Sequence, residues 1–376
     1  MKRKQIIIIL LLLSAFIFGY ITTFLYYKGF WSDFIKGLTS VPGIIHFLYF
    51  LVSLFFVILV HELGHFFSFR KHKIKVKALY ALMFAFVKED NKVKVRLVPK
   101  FLLLLGGIVI PDHLVIRNKE DEDEIIGIFK KVLLSGPNTS LVYGVIVFII
   151  WVFFLFFPFY ILNGFLFTFM ATTTIMTYLV FKSSKISTNG IYGDFVASEQ
   201  IEKNDLFKYT YLYQLVTQLD RDDESIDYLW PSIVNTLTNR SPYSNKLYKS
   251  LLLNYLDEVT FHNQIGSTGV SNKFESYIKR LGTQEDDFIL HNYFIYYYYS
   301  LNDNLMATTL LNELNHKEYK INKRVKVFYQ KLTNHLLGFK DESEFLSNDK
   351  NFHPQSLSWI YKPLKIENEI IEIRKV

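Results

Sequence analysis

Four stretches of the chain are apolar over lengths that a globular core does not need. Residues 5–27 carry no charge at all. At about 1.5 Å per residue such a helix crosses the roughly 30 Å hydrocarbon core of a bilayer. Its Met-Lys-Arg-Lys start resembles a signal peptide, but the run is too long for a typical h-region and no small-residue cleavage site follows. The run therefore reads as a retained helix. Similar runs cover about residues 43–69, 141–158 and 160–181, and Pro158 links the last two as a helical hairpin. The pattern predicts four transmembrane helices.

Between the second and third runs the period changes. Lys73-Ile74-Lys75-Val76-Lys77 and Lys92-Val93-Lys94-Val95-Arg96-Leu97 alternate polar and apolar positions, which predicts half-buried strands paired with each other. Residues 101–110 are apolar but too short to span, broken by Gly106-Gly107 and bracketed by Pro99 and Pro111. A re-entrant or interfacial hairpin is expected there. The acidic run 120–124 reads as a solvated surface loop.

After Phe195 no run is long enough to span. Leu290, Phe294, Tyr297 and Leu301 recur at helical spacing, as do Ala307, Leu310, Leu311 and Leu314. Asn302-Asp303 between them is a turn and N-cap signal. An all-α soluble C-terminal domain of helical hairpins is expected, tetratricopeptide-like in style but without a firm 34-residue repeat. The predicted fold is thus an α-helical polytopic membrane protein with about four transmembrane helices and a small β-hairpin or re-entrant element, followed by that helical domain. Its divisions are 1–42, a transmembrane helix with an external loop around Trp31; 43–196, a membrane core; and 197–376, a helical domain.

Composition narrows the chemistry. The chain of 376 residues has no cysteine, which excludes a disulfide scaffold, thiolate-bound zinc, an iron–sulfur cluster and a cysteine nucleophile. Its net charge of +7 is too modest to argue for a nucleic-acid partner. The placement of the charges says more than their sum. Lys2, Arg3 and Lys4 precede the first apolar run, Arg70, Lys71, Lys73, Lys75 and Lys77 follow the second, and Lys182 and Lys185 follow the fourth. The positive-inside rule predicts a multi-pass protein of the cell membrane with both termini in the cytoplasm. The mean hydropathy of +0.17 then averages a lipid-embedded half and a polar half.

The sharpest chemical signal is His61-Glu62-Leu63-Gly64-His65, inside the second apolar run. On a helix the two histidines lie four residues apart on one face, as two ligands of one zinc ion require, and Glu62 can act as base toward a water there. Ionisable groups inside an apolar span are costly and mark function. Catalytic zinc normally takes three protein ligands. The metzincin position for the third holds Lys71, and a Glu from a later helix fits the spacing of soluble zincins. Asp194, in Asn189-Gly190-Ile191-Tyr192-Gly193-Asp194-Phe195 just past the fourth span, is the better candidate: it falls at the same membrane face, and its glycines let the backbone turn back. Ser135-Gly136-Pro137-Asn138 reads as the start of the third span. His46 and His113 are lone histidines, of a kind that is more often structural than ligating.

In this order the motifs resemble the site-2 protease family of intramembrane zinc metalloproteases, over about residues 44–196. The resemblance implies that His61, His65 and Asp194 bind Zn2+ and that Glu62 is catalytic. Gly136 and Pro137 correspond to the family's Gly-Pro motif, and Gly106-Gly107 to its membrane-associated hairpin. Asn138, Gly106 and Gly107 become candidate substrate-binding residues. The family's Asn three residues after the Pro is Ser140 in this chain. The Gly that follows its Asp is Phe195, with Gly193 preceding. The implied substrate is a membrane-spanning protein or peptide, locally unwound and added to a strand edge at Lys73–Val87, Lys92–Leu97 or the Gly106-Gly107 hairpin. The lipid bilayer and a protein partner of the helical domain complete the expected contacts. Two other classes compete: a non-enzymatic scaffold with a vestigial motif, and a transporter. An intact Glu62 weighs against the first, and the lack of further charges in spans three and four against the second.

Overall fold

The computed structural model describes residues 3–27, 30–89, 92–99, 106–154, 160–188, 191–217, 221–241, 246–262 and 264–348, with the single positions 102, 219 and 351. The link near Pro158, most of the 101–105 run, and Asn189-Gly190 lie outside the described residues.

Among the described residues the chain is mostly helical, with a small four-stranded antiparallel sheet and a two-stranded hairpin. Contacts divide it into two compact units, 1–64 with 135–183, and 65–134 with 184–376. The first unit contains α1 (Arg3–Tyr27), α2 (Phe30–Ser40), most of α3 (Gly43–Lys71), the later part of α4 (Lys119–Phe154) and α5 (Tyr160–Ser183). Among the described residues α3, α4 and α5 are long and apolar enough to cross a membrane, and α1 carries a shorter apolar segment, Leu12–Phe24. Their large apolar side chains point outward: Ile44, Phe47, Leu48 and Leu51 on α3, and Val142, Ile146, Ile149 and Phe153 on α4, are exposed. In water such surfaces would be a large uncovered apolar patch, whereas lipid covers them.

The region around Trp31 forms the helix α2 where a loop was expected. It packs against α5 so closely that a Cβ on Gly164 would fall 2.5 Å from the Gly37 carbonyl carbon and the Leu38 nitrogen. Inside this unit Ser53 and Thr173 share a hydrogen bond of 2.7 Å. His46 is held on both ring nitrogens, by the Leu38 carbonyl and the Thr168 hydroxyl, each at 3.0 Å. That histidine is structural.

The second unit begins as α3 ends. Lys73 adopts a left-handed conformation (φ 62°), and the Ile74 N–H reaches back to the Phe69 carbonyl at 3.0 Å. This is a helix-terminating turn. Lys73 to Lys75 therefore close the helix, and the strand begins only at Val76. β1 (Val76–Ala81), β2 (Phe84–Glu89), β3 (Lys92–Leu97) and β4 (Gly107–Pro111) form a sheet in the order β3-β2-β1-β4. The two alternating runs are consequently not partners, since β2 lies between them. β3 is an edge strand whose Val93, Val95 and Leu97 are exposed rather than half-buried. From Gly107 onward the expected re-entrant hairpin is instead the other edge strand, paired antiparallel with β1.

The acidic run is not a loop. It forms the first turns of α4, where acidic side chains complement the helix dipole. Asn118 caps the helix by accepting from the Asp121 N–H at 2.9 Å. Glu122 is buried and accepts from the Tyr228 hydroxyl at 2.9 Å, with Lys208 at 3.5 Å. α4 then runs on through Gly136 and Pro137, which lie well inside it rather than at its start.

The hairpin β5 (Ser187–Thr188) and β6 (Ile191–Tyr192) leads into α6 (Asp194–Lys203). α7 (Asp205–Thr217), α8 (Asp223–Asn239), α9 (Lys246–Phe261), α10 (Thr268–Ser271), α11 (Phe274–Ile278), α12 (Glu285–Ser300), α13 (Asn304–His316), α14 (Lys323–Leu336) and α15 (Ser343–Leu346) follow. One core joins these helices to Phe69, Ile116, Ile125, Phe129 and Val132 of the preceding segments. Glu258, fully buried on α9, accepts the Arg221 guanidinium at 2.6 and 2.8 Å and the Tyr213 hydroxyl at 2.6 Å. Burial and the Glu258 charge push the Tyr213 phenol well above its ordinary range. The α12–α13 turn follows the sequence reading: Asn302 is left-handed (φ 59°), and Asp303 accepts from the Met306 N–H at 3.0 Å.

Candidate metal centre

His61, Glu62 and His65 sit on α3 and are all buried. Their ligand atoms lie within 4.8 Å of one another, so this group could hold a metal ion. The helix produces that grouping, because positions four apart share a face.

Each imidazole is held through its Nδ1. His65 Nδ1 lies 2.7 Å from the Val132 carbonyl oxygen on α4. A carbonyl only accepts, so Nδ1 carries a proton and Nε2 is the nitrogen left to ligate. His61 Nδ1 lies 3.0 Å from Ser140 Oγ. Ser140 donates its own proton to the Gly136 carbonyl at 3.2 Å, so its oxygen accepts from His61 and again leaves Nε2 as the ligating atom. Orientation by carbonyl or hydroxyl partners is how metal-ligating histidines are normally fixed.

Gly64, inside the motif, allows the two helices to approach. A Cβ there would meet Thr139 Oγ1 at 2.7 Å and the Ser135 carbonyl oxygen at 2.8 Å. The Ser135 hydroxyl donates to the Gly64 carbonyl at 2.9 Å. Pro137, two residues further along α4, lacks an N–H for the Leu133 carbonyl, which interrupts the helix ladder beside Val132.

Asp194 is the first residue of α6. Its Oδ2 lies 3.7 Å from His65 Nε2. Local bonds hold it there: Gly193 N–H to the Ile186 carbonyl and Phe195 N–H to the Ser184 carbonyl, both at 2.9 Å, and the Ser184 hydroxyl to Asp194 Oδ2 at 3.4 Å. The sequence candidates therefore separate. His61, Glu62 and His65 lie together, and Asp194 meets His65. Asn138 is exposed, while Ser140 is fully buried against His61. Gly106 and Gly107 lie at the start of β4, where the Gly106 carbonyl accepts from the Leu82 N–H at 3.1 Å. His113 is exposed in the segment after β4.

Sequence reasoning missed Val132, Ser184 and the orienting contact of Ser140. Val132 and Ser184 act largely through the main chain, which leaves no residue-type signal. Gly64 was visible as a small residue between the two histidines.

The donor set suits zinc: two imidazoles held through Nδ1, plus carboxylates, in a chain without thiols. Comparison with curated proteins and with solved structures returns no match. A family model for peptidase family M50 matches residues 49–344, well over half of the chain. That match, spanning the HExxH helix and most of the helical region, establishes that the chain belongs to peptidase family M50, the site-2 protease family of membrane-embedded zinc metalloproteases.

Proposed function

We propose that this chain is a zinc-dependent intramembrane endopeptidase acting on membrane-embedded or membrane-associated proteins or peptides near the cytoplasmic face. His61, His65 and Asp194 hold the metal and Glu62 is the catalytic base. One observation carries the reading: His65 is locked through Nδ1 to Val132 while its Nε2 meets the Asp194 carboxylate. When bound, zinc supplies Lewis acidity that polarises a scissile carbonyl and makes water acidic near neutral pH. Glu62 takes the proton of the attacking water and delivers it to the leaving amine nitrogen. Ser140 and Val132 keep the two imidazoles in the ligating tautomer. The substrate must present an extended peptide, because a helical one hides its carbonyl; β3 and β4, the outer strands of the sheet, are the edges available for strand addition. The basic residues that flank the apolar helices support a multi-pass arrangement with both chain ends in the cytoplasm.

Metal analysis of the purified protein together with Glu62→Gln tests this. One zinc per chain is expected in both proteins, with proteolysis reduced by about 10²-fold or more in the variant. Processing that survives the substitution refutes the hydrolytic role of Glu62.

A further inference from the structure

Beyond Asp194 itself the helices from α6 onward contribute no candidate ligand among the described residues, yet α7 touches both segments that lead to the candidate ligands of the second unit. Phe69 lies one turn beyond His65 on α3. Its ring meets Phe129 of α4 edge-on at 5.1 Å. Phe129 is one turn before Val132, whose carbonyl holds His65. On its other side Phe129 meets Tyr211 of α7 edge-on, again at 5.1 Å. Tyr211 stacks on Phe207, one turn earlier in α7, at 5.9 Å and 12° between planes. Phe207 in turn meets Tyr192 edge-on at 5.1 Å. Tyr192 ends β6, two residues before Asp194.

Five rings thus form an unbroken row from the His65 helix to the Asp194 hairpin. Val132 fixes His65 with respect to α4, and the bonds from Ser184 and Gly193 fix Asp194 within its own hairpin. Neither joins hairpin to helix. The ring row does, beside the exposed Lys130–Glu202 ion pair (2.7 Å) between α4 and α6, and its middle members belong to α7. Aromatic rings suit such a spacer, since they are rigid, turn about only two side-chain torsions and prefer these edge-on and offset-stacked geometries.

We propose that Phe207 and Tyr211 are positioning residues that set the separation of His65 and Asp194. The helical region is thereby a working part of the metal centre, and a partner bound to it is coupled to the metal. The inference rests on Asp194 being a zinc ligand.

Zinc affinity of the full-length protein, measured by chelator competition, is the readout. Phe207→Leu is expected to weaken zinc binding about tenfold or more, the range seen when groups that orient ligands are lost. Tyr211→Phe, which keeps the ring row, should stay near wild type. In an Asp194→Ala background Phe207→Leu should change the affinity by less than about twofold, because the ligand it positions is gone. Phe288→Leu, in the core between α12 and α14, controls for loosening of the helical region: it should lower the unfolding temperature and leave zinc affinity unchanged. Wild-type affinity in Phe207→Leu overturns the proposal. So does an undiminished drop in the Asp194→Ala background, or an equal drop in Phe288→Leu. If Asp194→Ala alone leaves zinc affinity unchanged, the ligand reading itself fails, and that variant identifies the failure as prior to any effect of the rings.

Discussion

His61 Nδ1 faces Ser140 Oγ at 3.0 Å, and the proton of that hydroxyl already goes to the Gly136 carbonyl. With its hydroxyl turned to Gly136, Ser140 accepts from His61 Nδ1 and presents Nε2 as the ligating atom. Replacing Ser140 with Ala removes the acceptor and frees the ring to turn or to change tautomer. Zinc affinity should fall by about 10- to 100-fold in Ser140→Ala, with the helical content unchanged. Chelator competition and far-UV circular dichroism measure the two quantities. Unaltered affinity would mean that Ser140 merely fills space.

Gly64 admits no side chain. The nearest atom on α4 is a hydroxyl that could swing away, but the next is the Ser135 carbonyl oxygen, 2.8 Å from an added Cβ and fixed in the helix main chain. Gly64→Ala must push α3 and α4 apart locally. Overpacking of this kind costs about 1–3 kcal/mol, and a displacement of about 1 Å in catalytic groups can cost about 10²-fold in rate. A lowered unfolding temperature and a large loss of proteolysis are expected together. Adding Thr139→Ala removes only the yielding half of the clash and should not restore activity. A fully active Gly64→Ala protein would show that the helices have room to spare.

The candidate metal centre was legible in the sequence to the extent that its side chains lie on regular elements. His61, Glu62 and His65 announced themselves through helical spacing inside an apolar run, and Asp194 through its glycine-flanked turn after the last such run. The orienting shell was not legible, because the Val132 carbonyl and the Ser184 and Gly193 main-chain bonds are available at any residue type. Helix α4 was misread for two reasons. Pro137 is a helix-start signal by propensity, yet a long helix tolerates the loss of one ladder bond. The acidic run looked solvated, although Asn118 before it is a cap signal and Glu122 within it has buried partners in Tyr228 and Lys208. In the sheet, β2 came between two strands that resembled each other in pattern, and alternation by itself carries no information about partner choice.

The helical region should lose stability in acid through His291. This residue is buried on α12, with Nδ1 2.7 Å from the Tyr319 hydroxyl. Burial, and then the nearby Lys317 ammonium, disfavour its charged form and hold its pKa down at about 4, against an ordinary 6.5. Between those values the unfolded chain binds a proton that the folded one refuses. Above pH 6.5 both states are neutral and the residue adds no slope; as pH falls toward 4 the unfolded state gains. At pH 4.5 the loss attributable to this group is about 2 kcal/mol. Carboxylates titrate in the same window, so the comparison that isolates it is wild type against His291→Gln, each unfolded by denaturant at pH 7 and pH 4.5 and followed by far-UV circular dichroism. The wild type should lose about 2 kcal/mol more than the variant across that interval. Equal losses would show that His291 takes up its proton in the folded state as readily as in the unfolded one.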